Sequence, residues 1–430
     1  MTAPSTPRVP LGTAYDTLDT LGQIIGQQPG VAGSWPTGAV RRGVDVMEQV
    51  DLLVATNDPS PLLDAVSGAD DLEVRRREPW LLEATLRRTP VRIECVPLEE
   101  AGIRQLERTA HPVHFERLAA RAAARDLHLT RTGLAGADGS VLASTEEGVY
   151  AALGLPAFPP ELRNGDGEFE AADEGRLPAV LERRDIRGDL HMHSLWSDGR
   201  DAIEAMVVTS IGLGYEYIAI TDHSQSSRAI RNLTREGVER QADEIASLRE
   251  QYPQIAILHG CEVDILEDGS LDFSDAVLER FDIVLASLHE AFDHDGGTLL
   301  RRYASAMRHP LVSVITHPTN RLVAFRDGYD LDYDRLFELA VATGTCLEID
   351  GAPSHLDLDA GLARRAVQAG VLLTVDSDCH RAVALDRQMH LGVVIARRGW
   401  VGAAQVLNTR PLADVQAHVA AKRGGRRPRT

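Results

Sequence analysis

From Ile186 onward, short apolar runs alternate with segments of helical period. The first run, Ile186 to Leu190, enters His191-Met192-His193, and a carboxylate, Asp198, follows five residues later. Tyr215 to Thr221 ends at Asp222-His223, and Ile255 to Leu258 leads to Glu262. Phe281 to Leu288 ends at His289, and Val312 to Thr316 ends at His317-Pro318. Thr345 to Asp350 carries carboxylates but no histidine, and Val371 to Val375 runs to Asp378-Cys379-His380. Between these runs, Asp201 to Leu213, Thr234 to Gln251 and Asp357 to Ala369 have the spacing of amphipathic helices. Alternating strand, loop and helix predicts a parallel sheet of the α/β class, and seven units predict a closed barrel. Sites in such barrels gather at the C-terminal ends of the strands, where these histidines and carboxylates fall. Side chains two apart on a strand share a face, so His191 and His193 can reach one metal ion together.

The first half of the chain has a different rhythm. Leu11 to Gln28 predicts an amphipathic helix with Leu18, Leu21, Ile24 and Ile25 on one face. Val50 to Val54 and Thr89 to Val96 are strand-like, and Leu118 to Leu129 is helical in pattern. Residues 156–184 contain Pro159-Pro160, Gly165, Gly167 and Pro178 and are expected to form a linker. The domain plan is a disordered tail over 1–10, a smaller α+β domain over 11–155, that linker, a barrel over 185–412, and a helix end with a basic tail over 413–430. No repeat is visible beyond the barrel's own rhythm.

Composition narrows the function classes. The chain has 430 residues, enough for two or three domains with substantial cores. No run of eighteen apolar residues suggests a membrane span, and Met1 to Pro10 lacks the apolar stretch of a signal peptide. Cys95, Cys261, Cys346 and Cys379 have no paired spacing, which suits buried thiols in a reducing cytoplasm. A net charge of −19 repels polyanions at long range and counts against broad non-specific nucleic-acid binding. Lys422 is the single lysine, so Schiff-base and P-loop chemistry have no lysine to use.

The segments Arg187 to His193, Ile220 to Ser224, Glu262 to Leu266, Asp268 to Asp272 and Ala396 to Trp400 resemble the PHP (polymerase and histidinol phosphatase) family of metal-dependent phosphoesterases. The resemblance covers about Asp185 to Leu412 and is strongest to the PHP domain at the C-terminus of bacterial family X DNA polymerases. It implies a distorted seven-stranded barrel. It implies His191, His193, Glu262 and Asp378 on one ion, Asp198, His223 and His380 on a second, and Glu262, His289 and His317 on a third, with Glu262 bridging. Mixed imidazole and carboxylate ligands suit two to three divalent transition-metal ions, Zn, Mn or Fe. The nucleophile would then be a water bound to those ions, with no Ser, Cys or Lys nucleophile needed. Asp222 and Asp189 are expected to accept hydrogen bonds from ligand histidines. Arg228, Arg231, Arg321 and Arg381 are candidates for the substrate phosphate. Arg321 ranks first, because it falls in the family's His-Pro-x-x-Arg segment. His355 stands where the polymerase-linked group usually has Arg.

Gly38 to Gly43 and Val50 to Val54 resemble the palm of a family X nucleotidyltransferase, where a Gly-Ser turn holds the triphosphate and Asp-x-Asp binds two metals. Here the serine is Ala39, the first Asp is Gln49, and only Asp51 remains. The later strand offers Arg92 in place of the third carboxylate, with Glu94 two residues on. Polymerase activity is therefore expected to be lost. Leu118 to Leu129 and Glu146 to Pro156 resemble the thumb. The family's helix-hairpin-helix modules are not expected, for want of room before Leu11, and no lyase lysine is expected either. The resemblance implies a metal-dependent phosphoester hydrolase, in specific form a 3′–5′ exonuclease processing DNA 3′ ends. The alternatives are a phosphomonoesterase acting on a small metabolite, like the histidinol phosphatases, and a non-catalytic partner in DNA repair. The expected partner is a phosphorylated substrate, single-stranded or 3′-end DNA among them, without a membrane.

Overall fold

The computed structural model describes residues 7–227, 231–289 and 294–425. The chain divides into two compact units, Met1–Leu177 and Pro178–Thr430.

In the N-terminal unit a five-stranded sheet runs in the order Val31–Thr37, Val50–Thr56, Thr89–Val96, Leu81–Leu86, Leu72–Glu78. Val50–Thr56 is parallel to Thr89–Val96 and sets Asp51 abreast of Arg92. The helix Leu11–Ile25 buries Leu11, Leu21 and Ile25. Two expectations shift. The helix expected over Leu118 to Leu129 runs instead from Pro112 to Ala123. Proline is favoured in a first helical turn, and the His111 ring accepts the Val113 N–H there. After it His128–Leu129 pairs as a strand with Leu134–Ala135. Val9–Pro10, expected in the tail, pairs with Val46–Met47.

The stretch 156–184 is not a free linker. Phe158, Leu162 and Phe169 are buried, and Phe158 and Phe169 join a core with Leu118, Tyr150 and Leu153. The helix Glu168–Asp173 brings Glu168 to 2.6 Å from His114 Nδ1 inside that core. Proline and glycine bend the segment here, but its large apolar residues give it a packed place.

The C-terminal unit is a seven-stranded parallel sheet in sequential order: Gly188–Asp189, Tyr217–Ile220, Ala256–Asp264, Ile283–Ser287, Val314–Ile315, Cys346–Asp350 and Leu373–Asp376. Met192 bridges Cys379, and the His193 N–H donates to the Cys379 carbonyl at 2.9 Å, so the first and last strands meet beyond their ends. Burial on both faces explains the near-continuous apolar runs. Leu190, Tyr217, Leu258, Ile283, Leu285 and Val314 fill the interior with Val415 and Val419 of the helix Leu412–Lys422. The helices Ile203–Gly212, Arg235–Gln251 and Ala360–Gln368 lie within the three predicted ranges. Residues 426–430 of the expected basic tail lie outside the described residues.

Candidate metal centre

Six of the seven barrel strands deliver a candidate ligand at or just past their C-terminal ends, as parallel barrels do. His191 and His193 follow the first strand, His223 the second, His289 the fourth, His317 the fifth, and Asp378 and His380 the seventh. Glu262 is the seventh residue of the third strand. Asp198 reaches the same place from the loop after His193. That loop is tied down by Asp222, which accepts the N–H and the hydroxyl of both Ser194 and Ser197.

Glu262 is the hub. Its Oε2 lies 3.4 Å from His191 Nε2, 3.6 Å from His193 Nε2 and 2.9 Å from His223 Nδ1. Its Oε1 lies 2.9 Å from His317 Nε2 and 3.2 Å from His289 Nε2. Asp378 Oδ1 is 3.0 Å from His193 Nε2 and 3.5 Å from His191 Nε2. Asp198 Oδ1 is 3.1 Å from His380 Nε2 and 3.6 Å from His223 Nε2. All nine residues of the expected ligand set thus converge on one mouth. Ligand-competent atoms group within 4.8 Å as His191, His193 and Asp378, as His193, Asp198, His223 and His380, and as His223, Glu262 and His289. His193 and His223 therefore each serve two groups, where the expected set gave each one ion.

The residues present fit divalent cations. The Nε2 atoms of His191 and His193 face each other at 3.1 Å. Glu262 Oε2 and His223 Nδ1 are buried and close, yet neither has a hydrogen-bond partner. Buried polar atoms are rarely left so. Burial works against a charged ring at His380, but Asp198 and Asp378 outweigh it and raise its pKa to about 9. At His193, burial with His223 and His380 lowers it to about 4.

The hydrogen bonds that orient the rings come from residues other than those expected. Glu348 Oε1 lies 2.7 Å from His191 Nδ1, and its Oε2 accepts the backbone N–H of His317 at 2.8 Å. Asp264 Oδ1 lies 2.8 Å from His289 Nδ1. Asp222 is taken up by the two serines and by Gln241 Nε2 at 2.6 Å. Asp189 Oδ1 accepts the backbone N–H groups of His191 and Ser377. Neither Asp222 nor Asp189 bonds a ligand ring; both fix backbone. Glu348 had a signal in the sequence, since it sits on the one strand with carboxylates but no histidine. Asp264 lies two residues past Glu262 on the same strand face.

The arginines separate. Arg321 donates Nε to the His355 carbonyl at 3.0 Å and its Nη2 to the Leu356 carbonyl at 2.5 Å. It holds the loop after the sixth strand, a role that its place in the motif did not reveal. Arg231 and Arg381 are exposed on the loops after the second and seventh strands. Arg228 lies outside the described residues.

The palm residues make a contrasting site. Gln49 Nε2 donates to Asp51 Oδ1 at 2.7 Å, and burial raises the Asp51 pKa. Glu94 is held by Arg108 at 2.7 Å and Arg104 at 3.3 Å. Ala39 lies on the short helix Gly38–Arg41. Gly38 has φ +64, and a Cβ there would meet Asp51 Oδ2 at 2.6 Å, so glycine is required. Among the described residues, no group of three metal-competent side chains forms in this unit.

Comparison with known proteins finds matches in both units. Residues 189–350 match the PHP domain, and residues 106–164 match the DNA polymerase beta thumb. The DNA polymerase/3′-5′ exonuclease PolX of Bacillus subtilis is 34% identical over 95% of this chain and 72% of its own length. This chain belongs to the PolX family. Probable phosphatases of Thermoanaerobacter sp. and Syntrophotalea carbinolica are each 28% identical, over 51% and 53% of this chain respectively and 89% of their own lengths. This PolX-family chain is a metal-dependent phosphoester hydrolase. No helix among the described residues is long and apolar enough to cross a membrane.

Proposed function

We propose that this chain is a 3′–5′ exonuclease that trims single-stranded or frayed DNA 3′ ends and has lost nucleotide addition. The observation that carries the reading is Glu262, whose two oxygens each face a different set of histidines. The nine side chains named above would hold two to three ions, Zn, Mn or Fe. Ions bound there supply Lewis acidity to the phosphate oxygens and to the attacking water.

The chain's own residues do the rest. Glu348 accepts a hydrogen bond from the Nδ1–H of His191, so the Nε2 of that ring points lone pair first into the mouth. Asp264 does the same for His289. The Asp378 carbonyl, 3.0 Å from His380 Nδ1, does so for His380. Asp222 fixes the loop that aims Asp198. Arg231 and Arg381 offer forks for phosphate oxygens that reach past the mouth. In the palm, Gln49, just before the strand Val50–Thr56, and Arg92, on the strand Thr89–Val96, stand where a second and third carboxylate would be needed, which supports loss of polymerisation. Four free, buried cysteines support a cytoplasmic setting.

A second reading, hydrolysis of a small phosphomonoester, is favoured by the acidic net charge and by relatives named as probable phosphatases. Manganese-loaded protein offered a single-stranded oligonucleotide and histidinol phosphate separates the two. Stepwise shortening from the 3′ end at low salt is expected, with affinity that falls as salt rises. Efficient turnover of the monoester with an untouched oligonucleotide would reject the exonuclease.

A further inference from the structure

The sixth barrel strand was the one whose carboxylates had no histidine beside them, and the nine-residue cluster leaves Asp350 unused. Asp350 is fully buried at the end of that strand. Its Oδ1 accepts the Ala352 N–H at 2.6 Å, while its Oδ2 is buried with no hydrogen-bond partner. A carboxylate oxygen in that position is costly unless something positive meets it.

Two other ligand-competent side chains stand beside it. Single ligand atoms of Asp350, His355 and Asp378 all lie within 4.8 Å of one another. His355 Nδ1 lies 3.2 Å from the Arg321 carbonyl. A carbonyl only accepts, so Nδ1 carries the proton and Nε2 keeps its lone pair, as in a metal-ligating imidazole. Arg321 in turn donates to the carbonyls of His355 and Leu356, so main chain and ring are clamped from one residue. The His355 ring stacks at 5.5 Å on that of His317, which places the group at the edge of the cluster. Asp378 has a second oxygen besides the one facing His193, so one carboxylate can serve two cations.

We propose that Asp350, His355 and Asp378 form an additional divalent-cation site beside the nine-residue cluster. Two carboxylates and an imidazole suit Zn²⁺ or Mn²⁺. Three protein ligands leave coordination positions open for an anionic oxygen of the substrate. The proposal rests on the reading of the barrel mouth as a metal cluster, because Asp378 is shared.

The test is a metal count. The full chain is stripped with chelator, brought to equilibrium dialysis against saturating Zn²⁺, and counted by elemental analysis. Asp350→Asn, His355→Gln and the double variant are treated alike, with circular dichroism to confirm the fold. Each single variant should carry one ion fewer than wild type, and the double variant should also carry one fewer, since both residues belong to one site. Equal counts in wild type and all variants, or two ions lost in the double variant, would overturn the additional site and leave the cluster standing. Wild type carrying no metal at all would instead overturn the cluster and this site together.

Discussion

The palm and the barrel mouth both place carboxylates on strands, Asp51 and Glu94 in one and Glu262 in the other, and they resolve the charge in opposite ways. In the palm, the protein answers each carboxylate itself: Gln49 bonds Asp51, Arg92 lies abreast of it, and Arg104 and Arg108 hold Glu94. In the barrel mouth, Glu262 Oε2 has three histidines within 3.6 Å and a hydrogen bond from none. A guanidinium is a cation that cannot leave, and so it ends metal chemistry at a strand position. An imidazole lone pair facing a carboxylate invites an external cation. Two sites of similar composition thus diverge according to whether the positive charge is built in.

The contrast can be broken by substitution, beginning with the largest effect. Glu262→Ala removes the residue that touches both halves of the cluster. Metal content should fall by at least one ion, and hydrolysis should drop by more than about a hundredfold. Elemental analysis and a phosphoester assay on the same preparation check both. Next is Glu348→Gln, which keeps the volume but weakens the grip on His191 Nδ1. It should lose about 10- to 100-fold in metal affinity or turnover, measured by chelator competition. An unchanged affinity would mean that His191 is oriented by something else.

Arg321→Ala sharpens the division between charge that positions and charge that binds. Losing its bonds to the carbonyls of His355 and Leu356 should cost about 1–3 kcal/mol of stability, read by denaturant unfolding. A raised Michaelis constant with unchanged stability would return Arg321 to the substrate. The smallest effect belongs to the palm. Asp51→Ala should leave phosphoester hydrolysis at the wild-type rate within error, because all nine expected ligands belong to the barrel unit.

Much of this was legible in the chain itself, for physical reasons. Seven apolar runs ending in metal-binding residues announce a parallel barrel, because such strands are buried on both faces and present their ends together. The alternation of side chains on a strand also put His191 with His193 and, in the palm, Asp51 with the failing Gln49 position. What periodicity cannot supply is the neighbour across the barrel. Glu348 is distant in sequence from the His191 it orients, and Asp222, adjacent to a ligand, turned out to hold serines. The motif around Arg321 points to a phosphate fork, yet the side chain donates to carbonyls of the loop after the sixth strand. The segment 156–184 looked like a linker because its prolines and glycines are conspicuous. Phe158, Leu162 and Phe169 declare a packed segment only once Leu118 and Tyr150 are seen to receive two of them.

The most direct test reads lengthening and shortening on the same strand. A labelled primer with a frayed single-stranded 3′ end, annealed to a template, is incubated with Mn²⁺ and all four deoxynucleoside triphosphates and resolved by length. Wild type and Asp51→Ala should shorten the primer from its 3′ end, Glu262→Ala should leave it unchanged, and no product should be longer than the primer. Longer products that persist in Glu262→Ala and vanish in Asp51→Ala would place the working site in the palm and contradict the account.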